Sequence, residues 1–376
     1  MRILLVHFGE LGYLGGVDVV IEKLAEAFAQ RGFASGIVEM APKGKPRRTL
    51  PSGVPVWTVT ASTLPKLRRP RSWASFVRAA MQFRKILREF CPNIVHVHFP
   101  TSQCLPVVGA ASLPHRWKLV ATVHNSDIRV VPFREPAFKV WQRRLFNRAD
   151  ALTAVSQSLL NDTVELYDGI QSKFFVVHNG IGPKWFRLPL QSATKENYVL
   201  FVGRLDYVKG VDILLTAWKE IVSRIPSTEL WIVGDGPERK KLETVARTLG
   251  ASSNVRFLGP KAQDELPDLY RNARVVVLPS RREGLPLSLL EAGACGSICV
   301  GTRIPGIPEI IENGTTGFVI QPESPKELAT AVLQSLQLSP DHVKQMRQAA
   351  RDRIASEFSE ERMIERYLRI FQATLE

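Results

Sequence analysis

Residues 279–308 read PSRREGLPLSLLEAGACGSICVGTRIPGIP. They follow an apolar run, Val275-Val276-Val277-Leu278, whose length and β-branched composition suit a buried strand. Pro279 and Ser280 stop that strand, and Arg281-Arg282-Glu283-Gly284 reads as a polar turn. A short helix is expected from about Pro286 to Ala294, with proline at the first helical position, where a missing N–H costs nothing. Gly293 and Gly296 loosen and end it, and Cys299-Val300-Gly301-Thr302 reads as the next strand. Such a strand–loop–helix–strand unit aims a helix N-terminus at the carboxyl end of a parallel sheet, a place that favours anions. Glu283 and Glu291 stand eight positions apart within it.

The same alternation extends outward on both sides. Before the unit, strand Tyr198–Val202 leads into Gly203-Arg204-Leu205-Asp206-Tyr207-Val208-Lys209-Gly210 and a helix to about Arg224. Strand Leu230–Val233 leads into Gly234-Asp235-Gly236-Pro237 and a charged helix, then strand Val255–Leu258 and a helix from Asp264. A polar helix at about 358–373 closes the chain. In the first half, strand 2–7 precedes GELGYLGG (9–16) and a helix to about Arg31, with Val20, Ile21, Leu24 and Phe28 at helical spacing. Further strands are expected near 35–40, 55–59, 94–98, 119–123, 151–154 and 174–177. The predicted organisation is a first domain at 1–188, a linker at 189–197, a second domain at 198–357, and a terminal helix at 358–376 crossing back to the first. Two α/β units of this kind predict two doubly wound parallel sheets with a ligand cleft between them.

Composition agrees with a globular chain: 376 residues, 45% hydrophobic and 23% charged. No apolar run approaches the roughly 20 residues that span a bilayer. MRILLVHFGE reads as a first strand rather than a signal peptide. The four cysteines form no CxxC pair, which fits a reducing, cytoplasmic setting. The net charge of +14 is lopsided: residues 1–190 hold 26 Lys/Arg against 12 Asp/Glu, and the remainder is balanced. The first half is therefore expected to meet an anionic partner. A basic loop, Lys66–Arg71, precedes a predicted helix at Ser72–Phe90 in which Trp73, Phe76, Val77, Ala80, Phe83, Ile86, Leu87 and Phe90 interleave with Arg78, Arg84, Lys85 and Arg88. Its apolar face suits either the sheet or a membrane interface.

GRLDYVKG (203–210), VGDGPERKKLE (233–243), PSRREGLPLSLLEAGACG (279–296) and GIPEII (306–311) resemble retaining glycosyltransferase family 4. In the first half the resemblance takes in Gly15-Gly16, IVHVHF (94–99), TVHNSD (122–127), AVS (154–156) and HNGI (178–181). It implies the GT-B fold, two Rossmann-like domains facing across a cleft. It also implies transfer of a hexose from a nucleotide diphosphate sugar, UDP-linked in preference to GDP-linked, to a hydroxyl acceptor with retention. Arg204 and Lys209 would bind the diphosphate. Glu283, matching the first glutamate of the family's E-x7-E pair, would meet the donor sugar hydroxyls, and Glu291 the ribose. Gly203, Gly284, Leu285 and Leu287 would line the donor site. Gly16 would lie near the donor phosphate, His124 would touch the donor sugar, and Gly15 and Asp127 would stand toward the acceptor.

The chemistry of these residues is consistent with such roles. The leaving diphosphate gains negative charge as the glycosidic bond breaks, and fixed cations or helix N-termini aimed at it lower the barrier. Ionised carboxylates are acceptors only, so they suit sugar hydroxyls. If Glu283 and Glu291 shared one helix, their eight-residue offset would be a rise of about 12 Å, against about 5 Å for a hydrolytic acid–nucleophile pair. His96 and His98 share a strand face, but no third metal ligand accompanies them. No metal or other cofactor is expected, since GT-B enzymes generally use protein cations. GELGYLGG is neither GxGxxG nor a Walker loop. Gly182 stands where the family often has an acid, and Pro305-Gly306 where it often has two glycines. The expected acceptor is a lipid-linked or cell-envelope glycan, reached by peripheral contact with the inner face of the membrane; no nucleic acid is expected. The competing functions are a sugar-nucleotide epimerase on the same fold and a non-catalytic sugar-binding or scaffold protein.

Overall fold

The computed structural model describes residues 1–8, 15–41, 47–60, 70–101, 105–111, 116–170, 174–187, 197–250 and 253–376. The chain divides into two compact units, one of residues 1–178 with 363–376, the other of residues 179–362. The stretch read as a linker, 189–197, lies outside the described residues apart from Asn197.

The first unit is built on strands β1 (Arg2–His7), β2 (Ala34–Ala41), β3 (Arg48–Thr49), β4 (Pro55–Thr60), β5 (Ile94–His98), β6 (Lys118–Val123), β7 (Ala151–Ala154) and β8 (Phe174–Val176). They lie in the order β3-β4-β2-β1-β5-β6-β7-β8. Pairing is parallel except at β3, which runs antiparallel to β4. β3 departs from the expected parallel pattern and is held by chemistry instead. Arg48 forks onto Glu39 at 2.8 and 3.1 Å, and that fully buried carboxylate also accepts the Thr58 hydroxyl at 2.6 Å. The strand order turns outward in both directions from the β1–β5 pair. In a doubly wound sheet this switch point leaves a crevice at the carboxyl ends of the strands.

The second unit repeats the plan with β9 (Tyr198–Val202), β10 (Glu229–Val233), β11 (Val255–Gly259), β12 (Val275–Leu278), β13 (Ile298–Thr302) and β14 (Gly317–Ile320). Their order is β11-β10-β9-β12-β13-β14, all parallel, with the switch point between β9 and β12. β12 is buried along its whole length, as a central strand covered on both faces must be. The following helix runs Leu287–Ala294, so Pro286 is not its first residue but its cap. Pro286 keeps the extended backbone of the loop, φ −71° and ψ 119°, while its carbonyl accepts the Leu289 and Leu290 N–H groups. Two helices beyond the central stretch, Pro325–Leu336 and Pro340–Glu357, were not anticipated. Both have a readable start, serine then proline: Ser324 Oγ accepts Glu327 N and Ser339 Oγ accepts His342 N.

The basic helix spans Pro70–Phe90 and packs against β4 and the helix Leu105–Ala111. Ala79, Phe83, Ile86 and Phe90 are buried, so one face serves the core. Val77 and Met81 instead stand 51% and 67% exposed beside Arg78, Lys85 and Arg88. Residues 66–69 of the basic loop lie outside the described residues, as do the side chains of Arg71 and Trp73; the helix begins at Pro70, inside the stretch read as loop. No helix among the described residues is long and apolar enough to cross a membrane. Among the described residues no disulfide forms: Cys91 is exposed, and Cys295 and Cys299 are buried.

Candidate functional site

In the second unit the two strands flanking the switch point each deliver a charged side chain. Lys209 ends a 3₁₀ turn, Tyr207–Lys209, a few residues after β9; Asp206 caps that turn, accepting Lys209 N. Glu283 lies in the loop after β12. Lys209 Nζ meets Glu283 Oε1 at 2.6 Å, with the side chains 23% and 8% exposed. The glutamate is held further: Ser280 Oγ donates to Oε1 at 2.7 Å, and Thr302 Oγ1, at the end of β13, donates to the Ser280 carbonyl at 2.6 Å. Arg204 stands apart from this pair, its side chain 68% exposed and 3.8 Å from Asp206.

Arg281, read only as part of a polar turn, is the clamp of the site. Its guanidinium donates to both oxygens of Asp212 at 2.8 Å, to the Tyr207 carbonyl at 2.7 Å and to Glu323, and lies 3.9 Å over the Tyr207 ring. Its own N–H donates to Val208 O at 2.7 Å. The loop bearing Glu283 is thereby fastened to the turn bearing Lys209. Asp212 and Glu323 hold the guanidinium firmly protonated, and Arg281 draws the Asp212 carboxyl below its ordinary range even though burial opposes it.

Gly306 shapes the other side of this loop. It has φ +91°, and a Cβ there would lie 2.0 Å from the Gly284 carbonyl oxygen. Gly284 and Leu285 are buried, Asn179 Nδ2 donates to Leu285 O at 3.3 Å, and Leu287 is half-buried as the first residue of its helix. Gly203 immediately follows β9, and a Cβ on it would come within 4.0 Å of the Lys209 stem. Glu291 is buried on the helix and accepts the Tyr270 hydroxyl at 3.2 Å, while burial and then the neighbouring carboxylate raise the Tyr270 pKa well above its ordinary value. Because only Glu291 is helical, the separation of the two glutamates is not the 12 Å rise of one helix. At Gly182, a Cβ would lie 2.5 Å from Glu360 Oε2, so a carboxylate from elsewhere in the chain occupies space beside the residue that replaces the family's acid.

In the first unit the corresponding strand ends carry histidines. His7 ends β1 and His98 ends β5, and the two are register partners. His124 follows β6. His7 Nε2 meets Asp18 Oδ1 at 2.9 Å, in the first turn of the helix Gly16–Gln30, whose N-terminus at Gly15 has no side-chain cap. Residues 9–14 of the glycine-studded loop lie outside the described residues. His98 Nδ1 lies 3.1 Å from His124 Nε2, and the His96 and His98 rings lie 4.0 Å apart. Asp127 accepts the backbone N–H groups of His124 and Asn125 at 2.7 to 3.1 Å. His7, Asp18, Ser280, Arg281 and Asp212 are polar residues of these strand ends that the motifs did not single out.

Burial sets the titration of this cluster. It pulls His96 and His124 down to about 3 and His98 well below the ordinary 6.5. It pushes Asp127 up to about 7, against backbone N–H groups that favour the carboxylate. Each histidine contributes stability that is present above its unfolded value of 6.5 and lost as pH falls toward the folded one. Asp127 acts oppositely, with stability present below 3.8 and lost as pH rises through about 7. Glu22, whose pKa burial also raises, acts in the direction of Asp127; the three histidines outweigh these two, so the first unit is expected to weaken on going from about pH 7 to about pH 5. Asp127→Asn, which lacks the offset, should weaken more steeply. Urea midpoints tracked in this unit would check both; a midpoint unchanged by acid contradicts the assignment.

Comparison with known proteins agrees with the fold and with the family resemblance. Glycosyltransferase Family 4 matches residues 14–185 and Glycosyl transferases group 1 matches residues 186–353. The chain is 30% identical over 293 residues to N-acetyl-alpha-D-glucosaminyl L-malate synthase of Bacillus anthracis, covering 75% of each chain. It is 28% identical over 352 residues to D-inositol 3-phosphate glycosyltransferase of Corynebacterium jeikeium, covering 85% of this chain and 83% of the relative. The solved structure of Anabaena HepE in complex with UDP-glucose superposes with a TM-score of 0.79 at 19% identity, over 99% of this chain and all of that one, a likeness of fold.

Proposed function

The chain belongs to glycosyltransferase family 4 and has the GT-B fold, and on that premise we propose that it moves a hexose from a nucleotide diphosphate sugar to a hydroxyl acceptor with retention at the anomeric carbon. The observation that carries this reading is the Lys209–Glu283 pair at the switch point of the second unit. A cation and a carboxylate fixed side by side match a ligand whose phosphate oxygens adjoin sugar hydroxyls. Lys209, assisted by the exposed Arg204, would neutralise the leaving diphosphate. Glu283 would accept from the sugar hydroxyls and Glu291 from the ribose. Gly203, Gly284, Leu285 and Leu287 would line the donor, with Gly16 at the phosphate and His124 at the sugar; Gly15 and Asp127 would stand toward the acceptor. Departure and attack on the same face let the leaving phosphate oxygen take the acceptor proton, with no side-chain nucleophile. UDP is favoured over GDP; HepE was solved with UDP-glucose.

The reaction is read as metal-independent because protein cations supply the charge. Turnover should therefore survive a chelator undiminished, and loss that returns with a divalent ion contradicts this. Transfer is tested by incubating the protein with UDP- and GDP-sugars and a glycan acceptor, then determining the anomeric configuration of the product by NMR. Inversion would reject the mechanism. A new sugar nucleotide formed without acceptor would favour the epimerase.

A lipid-linked or cell-envelope acceptor is supported by the basic first half and by the exposed Val77 and Met81 set among Arg78, Lys85 and Arg88. Peripheral binding at the cytoplasmic face would bring such an acceptor within reach. Sedimentation with vesicles should show several-fold more protein bound to anionic than to neutral lipid, less so at high salt, and about half or less in Val77→Ser/Met81→Ser. Equal partitioning into both lipids would rule out this recruitment.

A further inference from the structure

The first unit contains a histidine pair whose proton placement can be worked out from its surroundings. His98 and His124 face each other through Nδ1 and Nε2 at 3.1 Å, so one nitrogen carries the proton and the other receives it. The other nitrogen of His98, Nε2, is buried without a hydrogen-bond partner among the described residues. A neutral imidazole has a single N–H. If His98 carried it on Nε2, a donor would be stranded in the core, and buried N–H groups without acceptors are rarer than buried unshared lone pairs. The lower-cost arrangement puts the proton on His98 Nδ1, donated to His124 Nε2. His124 must then carry its own proton on Nδ1, the nitrogen left for a ligand.

The neighbouring network is consistent with the same rule. His96 Nδ1 is likewise buried without a partner, while Nε2 lies 2.7 Å from Thr122 Oγ1. With His96 donating from Nε2, the Thr122 hydroxyl can donate to Thr153 Oγ1 at 2.6 Å and Thr153 to the Ala121 carbonyl, while Tyr367 donates to Thr122 at 3.3 Å. Every hydroxyl proton then has an acceptor, and both unpartnered nitrogens are lone pairs. The His96 ring packs on the His98 ring, with centroids 4.0 Å apart.

We propose that His98 is a positioning residue: by donating from Nδ1 to His124 Nε2, it holds His124 as the Nδ1–H tautomer, so that this ring presents a hydrogen-bond donor to an oxygen of the sugar nucleotide. The catalytic consequence rests on the reading of His124 as a donor-sugar contact. The opposite tautomer would offer that oxygen only a lone pair, which can accept from a hydroxyl but cannot donate to an oxygen on which negative charge develops. His98 does not touch the ligand; it acts through the second ring.

The test uses the full chain with ¹⁵N-labelled imidazoles and two-bond ¹H–¹⁵N correlation spectra, with UDP-glucose as the turnover probe. In the wild type, His124 is expected to be protonated on Nδ1 alone. His98→Asn keeps a donor near the original Nδ1 and should preserve both the tautomer and kcat within about threefold. His98→Leu removes the donor and should lose the single tautomer together with at least about tenfold in kcat, since one transition-state hydrogen bond is at stake. A wild-type His124 protonated on Nε2, or an Nδ1–H tautomer unmoved in His98→Leu, overturns the inference. The wild-type spectrum decides the tautomer even if the leucine variant fails to fold. The expected tautomers in a protein that turns over no nucleotide sugar would support the positioning and count against the proposed reaction instead.

Discussion

Lys209→Ala is expected to slow turnover of a nucleotide sugar by about two to three orders of magnitude, the loss typical of removing one fixed donor from developing negative charge. Two effects act together. The diphosphate loses a cation that the turn after β9 holds in place, with Asp206 fixing the turn and Arg281 gripping its Tyr207 carbonyl. Glu283, almost fully buried, also loses its ion-pair partner and keeps Ser280 Oγ on the same oxygen. A buried carboxylate deprived of its cation is costly, so the side chain should move from its place. That displacement spoils its use as a hydroxyl acceptor. Lys209→Arg is not expected to restore the rate, because a planar fork does not reproduce a point charge on a flexible stem. Steady-state rates on a UDP-sugar panel check this, and a Lys209→Ala variant within about threefold of the wild type would refute the role assigned to Lys209.

Gly306→Ala is expected to damage both stability and turnover, and a comparison between two glycines separates the causes. A non-glycine residue at φ +91° carries strain of about 1–3 kcal/mol. The added Cβ also meets the Gly284 carbonyl oxygen at 2.0 Å, and backbone cannot swing aside as a side chain can. The loop that presents Glu283 must therefore move. Asparagine tolerates positive φ better than alanine but has the same Cβ, so Gly306→Asn should fail as well. Gly314 has φ +83° with nothing within 4 Å of its ideal Cβ, so Gly314→Asn should carry only the strain of positive φ, without a clash. Thermal denaturation and donor turnover across the three variants check the argument. A Gly306→Asn protein as stable and active as Gly314→Asn would show that close approach to Gly284 is unimportant.

The parts legible in the sequence are those written in short-range pattern. Val275–Leu278 is a buried parallel strand because four apolar residues between turn formers have little alternative, and β9 and β7 were legible for the same reason. Lys209 and Glu283 were found through motif context, although 74 residues separate them and no periodicity joins them. The clamp at Arg281 is not legible in the sequence because its partners Asp212 and Glu323 are 69 and 42 residues away and meet it only through the fold. His98 was weighed as a metal ligand on strand alternation. The bond to His124 depends on the β5–β6 register, which the sequence does not state. The 12 Å rise does not apply to Glu283 and Glu291, because Glu283 lies in the loop before Pro286 and only Glu291 is on the helix. The antiparallel β3 is not legible because two residues carry no pattern, and an ion pair from half-exposed Arg48 to buried Glu39 holds the edge there.

Calorimetric titration of the wild type and of Lys209→Ala with UDP and with GDP bears most directly on the claim that the Lys209–Glu283 pair forms the nucleotide-sugar site, because it needs neither the sugar nor the acceptor. At least one diphosphate, UDP by preference, should bind the wild type in a one-to-one complex. The variant should bind it at least about tenfold more weakly, a difference of about 1.4 kcal/mol. A wild type that binds neither diphosphate, or a variant that binds as tightly as the wild type, would contradict the account.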